Sequence, residues 1–379
     1  MKNFFCKNKS FFCWLFFVVL LFCFLQSEEQ NKSVHKSGQP LRPYHFHKID
    51  QFSVKYKENF DTNKFQRKSP LARTIKQEIK DSNFSGSILI IHKNKILLNT
   101  AYGYADKNTK ILNTPKSFYG MASIEKGLTA LLIMKQIQAG KITLQTKLDL
   151  FYPKIPNAKK ITIHNLLTMT SGLSSKGNPI NLKDGNAYID WYTDHAIQKY
   201  PIGSWHYDAT NFKILAGILK ILTKKSYATN LKTEFGNKFN FLSPGEFVAS
   251  KNHTYSYKNN LTTEASFSKD PSYLQREVAT GNLFTTTGSL YLYFRQVLNG
   301  KLIPKKLVEE MYSKVNGFAY ASGAYNYPRY YKAHGYILSY EPSIFINKNA
   351  TNAVIMLSNV SNKVPWEKLA EKIFQKINI

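Results

Sequence analysis

Hydrophobic and polar positions alternate in scale along this chain: apolar blocks of strand length stand near its two ends, and apolar blocks with helical spacing fill the middle. Ser87 to Ile91 and Lys95 to Tyr104 are largely apolar runs separated by His92-Lys93-Asn94, the pattern of a β-hairpin. Ser343 to Ile346 and Ala353 to Leu357 flank the turn-rich Asn347-Lys348-Asn349 in the same way. A closing helix is predicted from Trp366, Leu369, Ile373 and Ile377. Between the hairpins, a helix is predicted from Ser123 to Gln138, stopped by Gly140, and Leu128, Ala130 to Met134 and Ile137 make it apolar nearly all round. Such a helix belongs inside a domain rather than on its surface. A second helix, Ala209 to Leu222, is nearly as apolar. The expected fold class is α+β: an antiparallel sheet built from both chain ends, flanked by helices, with an all-α insertion beside it.

The N-terminal region has a different pattern. Lys2, Lys7 and Lys9 precede an uncharged apolar run from Phe11 to Leu25, which reads as a signal peptide or an N-terminal membrane anchor over residues 1–26. Fifteen helical residues rise only about 22 Å against a hydrocarbon core of roughly 30 Å, while the small-residue cleavage site at Leu25-Gln26-Ser27 is poor. Both outcomes place the rest of the chain outside the cell, secreted or held at the outer membrane face. Residues 27–69 are polar and lysine-rich and read as a stalk, with the folded domain expected over 70–379. Cys6, Cys13 and Cys23 all lie in the leader, so the domain is expected to have neither a disulfide nor a thiolate metal site. His45 and His47 stand in the polar arm without a third ligand and do not suggest a metal.

Charge narrows the partners. The chain carries 52 Lys+Arg against 24 Asp+Glu, a net charge of +28, and its field draws polyanions. No nucleic-acid-binding motif accompanies it, which leaves anionic lipid or an anionic wall polymer as the expected partner and excludes nucleic acid.

Ser123-Ile124-Glu125-Lys126 is an S-x-x-K sequence, whose spacing puts an amine and a hydroxyl on one helix face. The motif is cheap in a lysine-rich chain, and Ser33/Lys36 and Ser266/Lys269 repeat it. Only Ser123 opens a buried helix, where Lys126 would be desolvated and developing negative charge would meet the positive helix end.

Around that motif the sequence resembles the serine β-lactamase and DD-peptidase superfamily. The resemblance rests on Phe118 to Lys126, Gly140 to Leu144, Ile161 to Leu173, Tyr207-Asp208-Ala209-Thr210-Asn211-Phe212, Gly281 to Thr286 and His334-Gly335-Tyr336, and it extends from about Gly86 to Asn359. It implies a β-lactamase/DD-peptidase-like fold without cofactor or metal. Ser123 would be the nucleophile, Lys126 and Tyr207 would share proton transfer, and the backbone N–H groups of Ser123 and Ile337 would form the oxyanion hole. His334, Gly335, Ala209 and Asn211 would line the substrate. Asp208 is expected to cap the following helix rather than act as a base.

Two departures stand out. Ala209 replaces the usual Asn of Y-x-N, and Tyr336 falls where H-x-G would have glycine. Both bear harder on peptide and β-lactam substrates than on acyl transfer itself. The expectation is therefore an extracellular serine hydrolase acting on D-alanyl esters or amides of a wall polymer such as teichoic acid, similar to the teichoic acid D-alanyl esterases. A DD-carboxypeptidase, a weak β-lactamase, and a non-catalytic wall-binding module remain the alternatives.

Overall fold

The computed structural model describes residues 60–236, 238–258, 263–264, 271–315 and 317–378. The leader, the Ser33/Lys36 and Ser266/Lys269 pairs, His45 and His47 lie outside the described residues.

Among the described residues, eight strands form one antiparallel sheet: β1 (Lys64–Phe65), β2 (Gly86–His92), β3 (Lys95–Tyr102), β4 (Tyr320–Ala321), β5 (Ala324–Asn326), β6 (Tyr330–His334), β7 (Glu341–Asn347) and β8 (Ala353–Ser358). Their order is β1-β3-β2-β8-β7-β6-β5-β4, so the two chain ends meet where β2 pairs β8, from Gly86 opposite Ser358 to Ile91 opposite Ala353. The strands read as continuous apolar runs because both faces are covered. Ile88, Ile90, Val354 and Met356 pack with Ile75 and Ile79 of helix α1 (Pro70–Asp81) and with Trp366 and Ile373 of the C-terminal helix (Trp366–Lys376). The alternate residues Leu89, Ile91, Ile355 and Leu357 face the larger core that holds the central helices.

Helix α1 starts where Ser69 caps it, its hydroxyl accepting from the Ala72 N–H, and Pro70 occupies the first turn. Residues 60–69 were expected in the stalk. Phe60 is instead buried in the main core, and Lys64 and Phe65 pair with Asn99 and Leu98. Asn99 explains why so polar a stretch is held, because its side-chain amide donates to the carbonyls of Phe60 and Thr62. The packed body therefore takes in this end of the segment.

Helix α2 (Lys126–Gln138) is buried at every residue from Lys126 to Met134, as its apolar circumference requires. It packs beside α3 (Thr210–Thr223), which is buried from Thr210 to Leu219. At the start of α3 the Asp208 carboxylate accepts the Thr210 N–H at 2.8 Å, the capping role expected of it.

Candidate active site

Ser123 lies in a single 3-10 turn, Ala122–Glu125, that leads directly into α2. Ala122 is forced to φ 45°, a left-handed conformation costly for a residue with a Cβ, and strain of this kind persists where surrounding structure imposes it. Two donors converge on the Ser123 hydroxyl: Lys126 Nζ at 3.0 Å and the Tyr207 hydroxyl at 2.7 Å. Lys126 is 2% exposed and also donates to the Thr280 carbonyl at 3.0 Å, which fixes the amine between nucleophile and loop. Tyr207 is 46% exposed, and its ring lies 5.2 Å from the Lys126 ammonium.

Not every expected site residue arrives there. Ala209 lines a cavity of about 320 Å³ together with Ser123, Lys126 and Tyr207. Asn211 does not; it is buried, accepts from the Ser171 hydroxyl at 2.5 Å and donates to the Asp208 carbonyl at 3.0 Å. Its amide buttresses the turn before α3, so the assignment to substrate is corrected.

The strand beside the nucleophile requires a second correction. A Cβ on Gly335 would stand 2.6 Å from the Ser123 nitrogen and 2.7 Å from the Ala122 Cβ, so this is the position where only glycine fits. Gly335 therefore packs against the turn that carries the nucleophile, and Tyr336 beside it is exposed and lines a cavity with Ser123. The N–H expected to complete the oxyanion hole, that of Ile337, is engaged elsewhere. Gly335 N–H donates to the Pro342 carbonyl at 3.1 Å, and Ile337 N–H to the Tyr340 carbonyl at 3.1 Å, which leaves Ile337 engaged inside its own turn. Tyr336, Gly323 and Tyr325 line a cavity with Ser123, and Ile337 lines the cavity that holds Ser123 and Lys126.

His334 lines that second cavity, of about 290 Å³, but carboxylates surround it: Nε2 is 3.3 Å from Glu341 Oε1 and Nδ1 is 3.7 Å from Glu367 Oε2. It thus stands in the same cavity as Ser123, with two carboxylates as neighbours.

Sequence reasoning missed the groups behind the nucleophile. Glu125 is fully buried; burial pushes its carboxyl up to about 7, and the Leu283 N–H at 2.9 Å and the Lys213 charge only partly oppose this. Lys213 on α3 is buried as well, and burial draws its ammonium down to about 8. It donates to the carbonyls of Arg276 and Val278. The only signal available was a charge inside each apolar helix, which composition alone assigns to a solvent face.

A putative penicillin-binding protein, PbpX, of Bacillus subtilis is 27% identical over 312 residues, covering 80% of this chain and 78% of its own. A teichoic acid D-alanine hydrolase of Staphylococcus aureus is 23% identical over 384 residues, covering 96% and 94%. Among solved structures, FmtA from Staphylococcus aureus superposes with TM-score 0.74 at 23% identity, covering 84% of this chain and 91% of that one. The D-amino acid amidase from Ochrobactrum anthropi gives 0.66 at 17%, covering 81% and 99%. The Beta-lactamase family model matches residues 71–376, most of the chain, and the chain belongs to that family of serine hydrolases.

Proposed function

We propose that the protein is an extracellular serine hydrolase that removes D-alanyl groups from esters of an anionic wall polymer through an acyl-enzyme. The observation that carries the chemistry is the convergence of Lys126 Nζ and the Tyr207 hydroxyl on Ser123 Oγ. Ser123 attacks the acyl carbon while its proton passes to the Lys126–Tyr207 pair, which then protonates the departing alcohol. Water attacks the acyl-enzyme in the same way, and the proton returns to Ser123. The Ser123 N–H is one donor to the oxyanion.

Three things support the substrate: Ala209 lacks the amide that would grip a peptide carbonyl, the +28 charge suits a polyphosphate, and similarity to the D-alanine hydrolases runs over nearly the whole chain. The apolar run Phe11 to Leu25 would deliver the domain outside and, if retained, anchor it. One observation favours a second reading. Similarity to a putative penicillin-binding protein over 80% of this chain supports a D-alanyl-D-alanine carboxypeptidase.

A fluorophosphonate adduct mapped by peptide mass spectrometry tests the chemistry. Labelling is expected at Ser123, absent in Ser123→Ala, and slowed at least about 100-fold in Lys126→Ala. Adducts elsewhere would refute the assignment. Free D-alanine released from D-alanylated teichoic acid, set against release from a D-alanyl-D-alanine peptide, separates the two substrates.

A further inference from the structure

The cavity on the Tyr336 side of Ser123 has a chemical character opposite to that of the protein. In a chain of net charge +28, one end of it is lined by Glu367, Lys332 and His334, and a second carboxylate, Glu341, stands behind His334. Lys332 Nζ donates to Glu367 Oε1 at 2.6 Å. Glu341 is nearly buried, and its Oε1 also accepts the Glu367 N–H at 3.2 Å, so it is occupied on the protein side. Glu367 is different: it lines the cavity, and its Oε2 has His334 Nδ1 no closer than 3.7 Å, beyond a hydrogen bond. Burial would raise the Glu367 carboxyl, but Lys332 and His334 outweigh it and hold the group below its ordinary value, hence ionised. Four phenol rings, of Tyr207, Tyr320, Tyr325 and Tyr336, line the same space. Lys332 Nζ already lies 4.6 Å from the Tyr325 centroid, so that ring accepts a cation in this setting.

We infer that this corner is a cation subsite, in which Glu367 Oε2 and the tyrosine rings receive an ammonium group carried by the substrate. The inference rests on the reading of Ser123 as an acyl-transfer nucleophile, since it assigns a specificity to the same cavity. An ammonium on the acyl group and one on the leaving alcohol present the same chemistry. The geometry assigns the subsite to the ammonium, and the test separates the two positions. Glu367 acts here by contact with the substrate, while Lys332 offsets part of its charge from the other carboxylate oxygen.

The competing role for Glu367 is to tie the C-terminal helix to β6 through Lys332. Two variants distinguish them, because Glu367→Gln and Lys332→Met break the same tie but change the corner's charge in opposite directions. The probes are D-alanine methyl ester, its N-acetyl derivative, and acetylcholine with ethyl acetate as the neutral partner. The readout is the ratio of kcat/KM for each ammonium ester to its neutral partner. Glu367→Gln is expected to lower the ratio about tenfold or more for the ester whose ammonium reaches the corner, and Lys332→Met to maintain or raise it. Equal losses in both variants, or a ratio unmoved by Glu367→Gln in both series, would overturn the subsite. If none of these esters turns over, the parent reading fails and the subsite is read separately: tetramethylammonium chloride should slow fluorophosphonate labelling in the wild type and lose that effect in Glu367→Gln. Absence of such competition would overturn it as well.

Discussion

Glu125 sits between the nucleophile and the catalytic amine in sequence, yet it turns away from both and accepts a bond from Leu283 N–H. Its cost is readable as a pH dependence. Because the folded carboxyl titrates near 7 rather than at its ordinary 4.5, the native state retains a proton that the unfolded chain has already released between those values. Its contribution to stability is therefore full below about 4.5 and lost as pH rises toward 7. Lys213 has the opposite displacement, from 10.5 to about 8, and the penalty for holding it charged is relieved as pH climbs through that interval. Glu125→Gln keeps an oxygen for Leu283 and removes the first titration. Thermal unfolding followed from pH 4.5 to 7 should show the wild type losing stability relative to Glu125→Gln, on the order of 3 kcal/mol across the range. A constant difference between the two proteins would mean that the carboxyl ionises normally.

At the scale of elements, the segment 276–283 is a strap whose backbone is held from below. Lys213 takes the carbonyls of Arg276 and Val278, Thr129 that of Ala279 at 2.8 Å, Lys126 that of Thr280, and Glu125 the Leu283 N–H. The strap thus sets where the Lys126 amine stands. Lys213→Met removes two of these bonds and leaves two carbonyls short of a donor, at about 1–3 kcal/mol for each group that stays buried. Hydrogen exchange is expected to accelerate in 276–283 ahead of the rest of the chain, with Ser123 labelling slowed in parallel. Uniform acceleration would show that Lys213 supports the fold at large. This strap also marks the limit of what the sequence reveals. The paired hairpins, the buried helix and the Ser123–Lys126 pair follow from periodicity and local spacing, whereas Tyr207, 84 positions from Ser123, came from the resemblance to a family motif alone. Lys213, Glu125 and Glu367 depend on partners far away along the chain, and a charged residue in a helix reads as solvated until its neighbours are known.

Across the whole molecule the dominant quantity is charge. With 52 cationic and 24 anionic side chains, the protein carries a long-range field that reaches a polymer well before any contact forms, and salt shortens its range from roughly 10 Å at 0.1 M to roughly 3 Å at 1 M. The site chemistry does not share that sensitivity. Lys126 and the strap beneath it are buried, and buried groups are screened far less than surface charges. Substrates of different size should therefore respond differently to the same salt. For D-alanylated teichoic acid, kcat/KM is expected to fall about tenfold or more between 0.05 and 0.5 M sodium chloride, while a small neutral ester such as N-acetyl-D-alanine methyl ester changes by less than about twofold. The measurement is free D-alanine from the polymer and alcohol release from the ester in the same salt series. Parallel curves would place the salt effect in the catalytic site and remove the polyanion from the account of this charge. Divergent curves with intact ester turnover would show that the surface concentrates a polyanion whose acyl groups Ser123 then removes.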